Sequence, residues 1–185
     1  PETLGIVLVE SEWFLRRRPY HRQKLALILA NQRHFALAQA ARRVAVRYVQ
    51  TDLPHREALG LLLAELGVLE CMEPAERELR MELDPLVKAG HIAIIPHGGW
   101  LTTPQQFLKA VGGSGPYRMD AFYRVVRQDS GYLMEDGAPV GGRYSMDGEN
   151  RDPWRGTPHA PEPPHFTPDA VTCEVGTEIA ARFAE

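Results

Sequence analysis

Residues 68–95 read VLECMEPAERELRMELDPLVKAGHIAII. A short apolar segment, Val68–Met72, leads into a stretch where Leu79, Leu83, Leu86 and Val87 recur at helical spacing. A second apolar segment, His91–Ile95, closes it. Pro74 suits the start of a helix, where its missing N–H is no loss, and Gly90 suits the stop. Strand, helix and strand in one such stretch make a βαβ unit, whose crossover returns the chain parallel to itself.

The same rhythm runs upstream. Leu4–Val9 is a nearly continuous apolar run of strand length, as expected for a strand covered on both faces. A long helical pattern over Tyr20–Arg42 places Leu25, Ile28, Leu29, Phe35 and Ala36 together. Val44–Val49 reads as the next strand, and Pro54 opens a helix carrying Leu59, Leu62, Leu63 and Leu66 that Gly67 ends. Four alternations predict an α/β fold, a flavodoxin- or Rossmann-like parallel sheet sandwiched by helices. After residue 97 the rhythm breaks. Thr103-Pro104 caps a helix to about Val111, and another covers Arg118–Gln128. From Gly131 to Thr167 glycine and proline dominate, predicting an irregular surface segment before a last helix capped by Thr167-Pro168. The expected division is an α/β domain over 1–130, then an irregular extension and terminal helix over 131–185.

Bulk properties exclude several classes. The chain has 185 residues, 44% of them apolar, and a net charge of 21 − 24 = −3, which recruits no polyanion globally. Its two cysteines, Cys71 and Cys173, lack metal or redox spacing and fit a reduced, cytoplasmic protein. No apolar run is long enough to span a bilayer. The seven histidines form no HxxxH or HExxH pair, and Gly112–Gly115 lacks the lysine of a phosphate-binding loop. Residues 139–154, PVGGRYSMDGENRDPW, fail as a calcium loop: counted from Asp147, Arg151 and Pro158 hold slots that need oxygen ligands. Asp147, Asn150 and Arg151 are expected to tie that segment down through side-chain-to-backbone hydrogen bonds, with Tyr144 and Trp154 as apolar pins. Arg16-Arg17-Arg18 either meets phosphate or is a solvated loop.

In open parallel sheets ligands sit beyond the carboxyl ends of the strands. Those ends carry Glu10, Gln50 and Glu73, and His97 follows the last strand. Two carboxylates there either hold a small molecule or cap nearby helices.

Several segments together carry a family resemblance. Pro19–Ala36 (PYHRQKLALILANQRHFA), Glu73–Arg77 (EPAER), Tyr117–Arg124 (YRMDAFYR), the PVGG stretch with Gly131–Met134 before it, and Phe166–Val171 (FTPDAV) occur in order along nearly the whole chain. They resemble the deoxyribodipyrimidine photolyase-related proteins, the bacterial iron–sulfur photolyases and cryptochromes. The resemblance implies light-dependent DNA repair or blue-light sensing, with this chain as the N-terminal antenna or scaffold domain. Flavin adenine dinucleotide and the four-iron cluster would then belong to a helical domain that this chain lacks, since two cysteines are too few for the cluster. That helical domain is the implied partner, with DNA reached only through the full-length protein and no membrane involved; the parent activity is that of a lyase.

The resemblance also implies two departures. The family opens with a strand that would lie mid-sheet, and nothing before Leu4 matches it. Either a segment precedes Pro1 or the ends have rearranged, because a gap leaves two ladders of unpaired backbone groups. In the antenna pocket the glutamate and tyrosine that grip a lumazine chromophore fall on Phe14 and Arg17, while the ring-lining position falls on Ile28. Losing an acceptor disfavours that ligand by about 1–3 kcal/mol per group. The candidate cofactor residues are therefore Glu10, Phe14, Arg17, Ile28 and Glu73, with no catalytic or metal-binding residue. Two other readings stay open: a small-molecule or nucleotide module built on Glu10, Phe14 and Glu73, and a protein-interaction module.

Overall fold

The computed structural model describes residues 5–148 and 151–183. The elements run β1 (Gly5–Ser11), α1 (Glu12–Leu15), α2 (Arg22–Ala41), β2 (Ala45–Thr51), α3 (His55–Leu66), β3 (Leu69–Met72), α4 (Arg77–Lys88) and β4 (Ile92–Ile95). After them come α5 (Pro104–Val111), α6 (Met119–Ser130), a hairpin of β5 (Met134–Glu135) and β6 (Ala138–Pro139), and α7 (Ala170–Arg182). The chain forms two compact units, residues 1–97 with 164–185, and residues 98–163.

In the first unit β1 pairs with β2 and β3 with β4, both parallel, as the alternation requires. The α/β class is thus present, with helices crossing between parallel strands. The ladder does not continue from β1 to β3, so among the described residues these four strands make two separate pairs rather than one sheet. The β4 residues Ile94 and Ile95 remain exposed although their composition suits a strand covered on both faces.

The core of this unit lies between α2 and α7. Leu25, Leu29 and Ala30 from α2 meet Val175 and Ile179 from α7, with Leu15, Tyr20 and Phe183 around them. Leu25 and Leu29 are a turn apart, as are Val175 and Ile179, so each helix presents one stripe. Burying each large side chain contributes roughly 1.5–3 kcal/mol. The cap of α7 is Asp169, not Thr167: its carboxylate accepts from the Thr172 backbone N–H at 2.9 Å and hydroxyl at 2.8 Å. A carboxylate also meets the positive end of the helix dipole, an advantage a threonine hydroxyl lacks. Those Thr172 bonds, with His34 as a third donor at 2.6 Å, hold Asp169 down at a pKa of about 2. Helix α4 begins at Arg77, with Pro74 in the preceding turn.

In the second unit Thr103 caps α5 in a full capping box. Its hydroxyl accepts from Gln106 N–H at 3.2 Å, and Gln106 Oε1 accepts from Thr103 N–H at 2.8 Å. Phe107 packs edge-on to Phe122 at 5.2 Å and holds α5 against α6. The glycine-rich segment is organised by Arg127, which is 5% exposed. Its guanidinium donates to the carbonyls of Leu133, Tyr132 and Tyr144 and lies 5.3 Å from the Tyr144 ring. Tyr144 is held by cation–π and polar contacts, its hydroxyl accepting from Gln128 Nε2 at 3.0 Å, where an apolar pin was expected. Trp154 is largely exposed, its indole N–H donating to Pro158 O at 2.9 Å. The Asp147 N–H donates to Ser145 Oγ at 3.2 Å, and Asn150 lies outside the described residues.

Candidate functional site at the end of β1

Strand β1 ends in Glu10 and Ser11, and the parallel register sets Glu10 beside Gln50 of β2. Alternation then brings Tyr48, two residues before Gln50, to the same face. Helix α2 passes over this face and extends Arg33 toward it, while α7 supplies Glu174 and Glu178 one turn apart.

Glu10 is 5% exposed, and four donors meet its two oxygens. Oε1 accepts from Arg33 Nη2 at 2.9 Å and Gln50 Nε2 at 3.3 Å. Oε2 accepts from Arg33 Nε at 3.2 Å and the Tyr48 hydroxyl at 2.6 Å. The other edge of the same guanidinium reaches Glu178, at 3.2 Å to Oε1 and 2.5 Å to Oε2. Glu174 Oε1 lies at 3.6 Å from Arg33 Nη1. One arginine thus clamps β1 and α7 to α2.

The Glu178 hydrogen bonds keep Arg33 charged, outweighing its desolvation. Burial, then the bond to Glu10, pushes the Tyr48 phenol well above its ordinary range, so it stays a neutral donor. Arg33 pulls the Glu178 carboxyl down. Every acceptor on Glu10 is engaged, and the cavity beside it has about 10 Å³, room for one water at most. This cluster is chemically a closed structural joint.

Ser11 shapes the turn into α1: its hydroxyl donates to Leu53 O at 2.6 Å and accepts the Phe14 N–H at 3.2 Å, capping that helix. Phe14 stands edge-on to His55 at 5.0 Å. Burial lowers the His55 pKa, so the ring is neutral. Its Nδ1 lies 3.8 Å from Glu82 Oε1, and both Nδ1 and Glu82 Oε2 are buried without a hydrogen-bond partner. Arg17 places its guanidinium 5.1 Å from the Trp13 ring and 5.9 Å from that of Phe14.

Of the residues singled out in the sequence, Phe14 and Arg17 come together, just beyond buried Glu10. Ile28 is partly exposed on α2. Glu73 follows β3, and its carboxylate forms an exposed ion pair with Arg80 at 3.4 Å. A lumazine grip does not fit, since Phe14 offers no hydrogen-bonding atom where a carboxylate acceptor is needed, Arg17 can only donate, and Glu10 has no acceptor to spare. An iron–sulfur site does not fit either: Cys71 is half-buried, Cys173 exposed, and the described residues hold no metal-binding cluster of histidine, cysteine or carboxylate. Arg33, Tyr48, Glu178 and the His55–Glu82 pair escaped sequence reasoning. The one available signal was an arginine within an apolar helical pattern, facing two acids four residues apart on the last helix.

Comparison with known proteins agrees in direction. The family model described as deoxyribodipyrimidine photo-lyase-related protein matches residues 1–185. A (6-4) photolyase of Agrobacterium fabrum (strain C58 / ATCC 33970) is 31% identical over 177 residues, covering 90% of this chain and 34% of the relative. The chain spans about a third of that relative's length. No helix among the described residues is long and apolar enough to cross a membrane.

Proposed function

Because the chain belongs to the deoxyribodipyrimidine photo-lyase-related protein family, we propose that it is the α/β scaffold domain of a light-dependent DNA-repair or blue-light-sensing flavoprotein of the cytoplasm. The observation that carries this reading is a family match along all 185 residues, joined to a relative named as a photolyase that is about three times longer. Flavin and iron–sulfur chemistry would reside in a helical partner domain; among the described residues no cluster of cysteine, histidine or carboxylate suits the iron–sulfur group. When bound there, the flavin would supply the photochemical electron transfer. The residues of this chain act mechanically: Arg33 locks β1, α2 and α7 into one body through Glu10 and Glu178.

The surface suits such a role. Helix α2 exposes Leu27, Ile28, Phe35 and Leu37 although Leu25 and Leu29 are buried. Exposed apolar side chains grouped on one element suit burial against another surface. Leu61 on α3 is likewise 73% exposed. These residues favour a partner domain over a free-standing module.

A chimera tests the proposal. The matching segment of the Agrobacterium relative is replaced by this chain, and flavin content and light-dependent repair of a (6-4) photoproduct oligonucleotide are measured. The expected result is a folded chimera with stoichiometric flavin and measurable photorepair. A soluble, folded chimera without flavin and without repair would refute the scaffold assignment.

A further inference from the structure

Helix α2 carries a second row of side chains, on the other side of the helix from the buried Leu25, Leu29 and Ala36. Lys24, Leu27, Asn31, Phe35, Ala38 and Arg42 follow one another at steps of three and four residues, which sets them on one face, and all six are exposed. Leu27 is 67% exposed and Phe35 46%. The row is an apolar strip with a cation at each end, the two about 27 Å apart at 1.5 Å per residue.

The charge of this helix is one-sided. Residues 22–43 contain Arg22, Lys24, Arg33, Arg42 and Arg43 but no aspartate or glutamate. Arg33 is engaged by Glu10 and Glu178. Lys24 lies 4.7 Å from the Tyr20 ring instead, and among the described residues neither Lys24 nor Arg42 has a carboxylate within ion-pair distance. A second copy of this chain would set Lys24 and Arg42 against the same cations in either direction of packing, which is repulsive. An anionic bilayer takes a helix with a wide apolar face and cations along both flanks. Here the strip is narrow, Asn31 interrupts it, and a net charge of −3 opposes adsorption. A partner helix with an apolar face and carboxylates at its ends matches both the strip and its charges.

We propose that this strip docks an amphipathic helix of about five turns with acidic residues at both ends, contributed by the helical partner domain. The inference rests on the scaffold reading and adds to it the surface and the chemistry of the contact. The Agrobacterium relative, about three times as long as this chain, has the polypeptide for such a helix outside the matched segment. Leu27 and Phe35 are the anchors, and Lys24 and Arg42 fix the register through charge-assisted hydrogen bonds. Asn31, between the anchors, calls for a polar group opposite it, because an amide covered without a partner is costly.

The chimera with the Agrobacterium relative carries the test. Leu27→Cys and Phe35→Cys are made separately in the isolated chain and in the chimera, and the reaction of each new thiol with a maleimide is followed by peptide mapping. Both should react at least about ten-fold more slowly in the chimera, where reaction needs local opening of the contact. Adding Lys24→Glu and Arg42→Glu should return Phe35→Cys in the chimera toward its rate in the isolated chain. A carbodiimide, which joins an amine to a carboxylate touching it, should link Lys24 to an aspartate or glutamate of the helical region. A chimera that holds flavin and repairs DNA while both thiols react as fast as in the isolated chain would overturn the surface and leave the scaffold reading standing. A folded chimera without flavin and without repair would remove both. Protection that survives the charge reversal would overturn the acidic partner. Slow labelling of the isolated chain would do the same where it accompanies a dimer mass, assigning the strip to a second copy, or where anionic lipid vesicles cause it, assigning the strip to a membrane.

Discussion

Replacing Arg33 by methionine keeps most of the side-chain length and removes the charge. Glu10 would then retain Tyr48 and Gln50 but lose both guanidinium bonds, leaving an uncompensated carboxylate that is 5% exposed. Breaking a buried pair from one side costs about 3–5 kcal/mol. The Glu178 pairing adds little to that figure, since this carboxylate is partly exposed and resolvates, and the mostly exposed Glu174 adds less. Against a total stability on the order of 5–15 kcal/mol, the loss is large. At about 2–4 °C per kcal/mol for a chain of this size, Arg33→Met should melt roughly 10 °C below the parent. Urea unfolding followed by circular dichroism gives the free energy, and a thermal scan gives the shift. The companion variant, Arg33→Met with Glu10→Gln, removes both buried charges and should be more stable than Arg33→Met alone. A single variant within about 1 kcal/mol of the parent, or a double variant as unstable as the sum of the singles, would refute the assignment of this pair as the central joint.

The same geometry sets three further outcomes. Leu25→Ala opens a void against Val175 and Ile179 and should cost about 2–5 kcal/mol in urea unfolding; a loss under about 1 kcal/mol would mean the α2–α7 contact is loose. His55 has its pKa lowered by burial from the ordinary 6.5, so the unfolded chain binds the proton first and stability falls as pH drops below 6.5 through the lowered value. His55→Phe should flatten that part of the stability–pH profile, and an unchanged slope would contradict a buried neutral ring. Burial raises the Cys71 thiol pKa whereas Cys173 is exposed, so a thiol reagent at mildly alkaline pH should label Cys173 first; peptide mapping that finds Cys71 modified first would reverse the assignment.

The helix and strand order was legible because its signals are local. Apolar spacing distinguishes β3 and β4 from α4, Gly67 with its positive φ stops α3, and the Thr103–Gln106 box starts α5. Family membership was legible too, from ordered motifs that depend on no long-range geometry. The site was legible only in pieces. Glu10 stood out as a carboxylate at a strand end, and Phe14 and Arg17 through the family resemblance, but the partners of Glu10 did not.

That boundary has a physical cause. Periodicity and capping act over a few residues and leave a mark in the sequence at that range, so it determined by itself the α/β class, the parallel direction of the strands and most helix ends. A buried charge is matched instead by whichever donor the fold brings near, and Arg33 meets Glu10 across 23 positions and Glu178 across 145. Only the tertiary structure decided that Glu10 is a saturated joint rather than a ligand contact, that Arg127 organises the glycine-rich segment, and that the strands pair two by two. Each depends on distances that exist only once the chain has closed on itself.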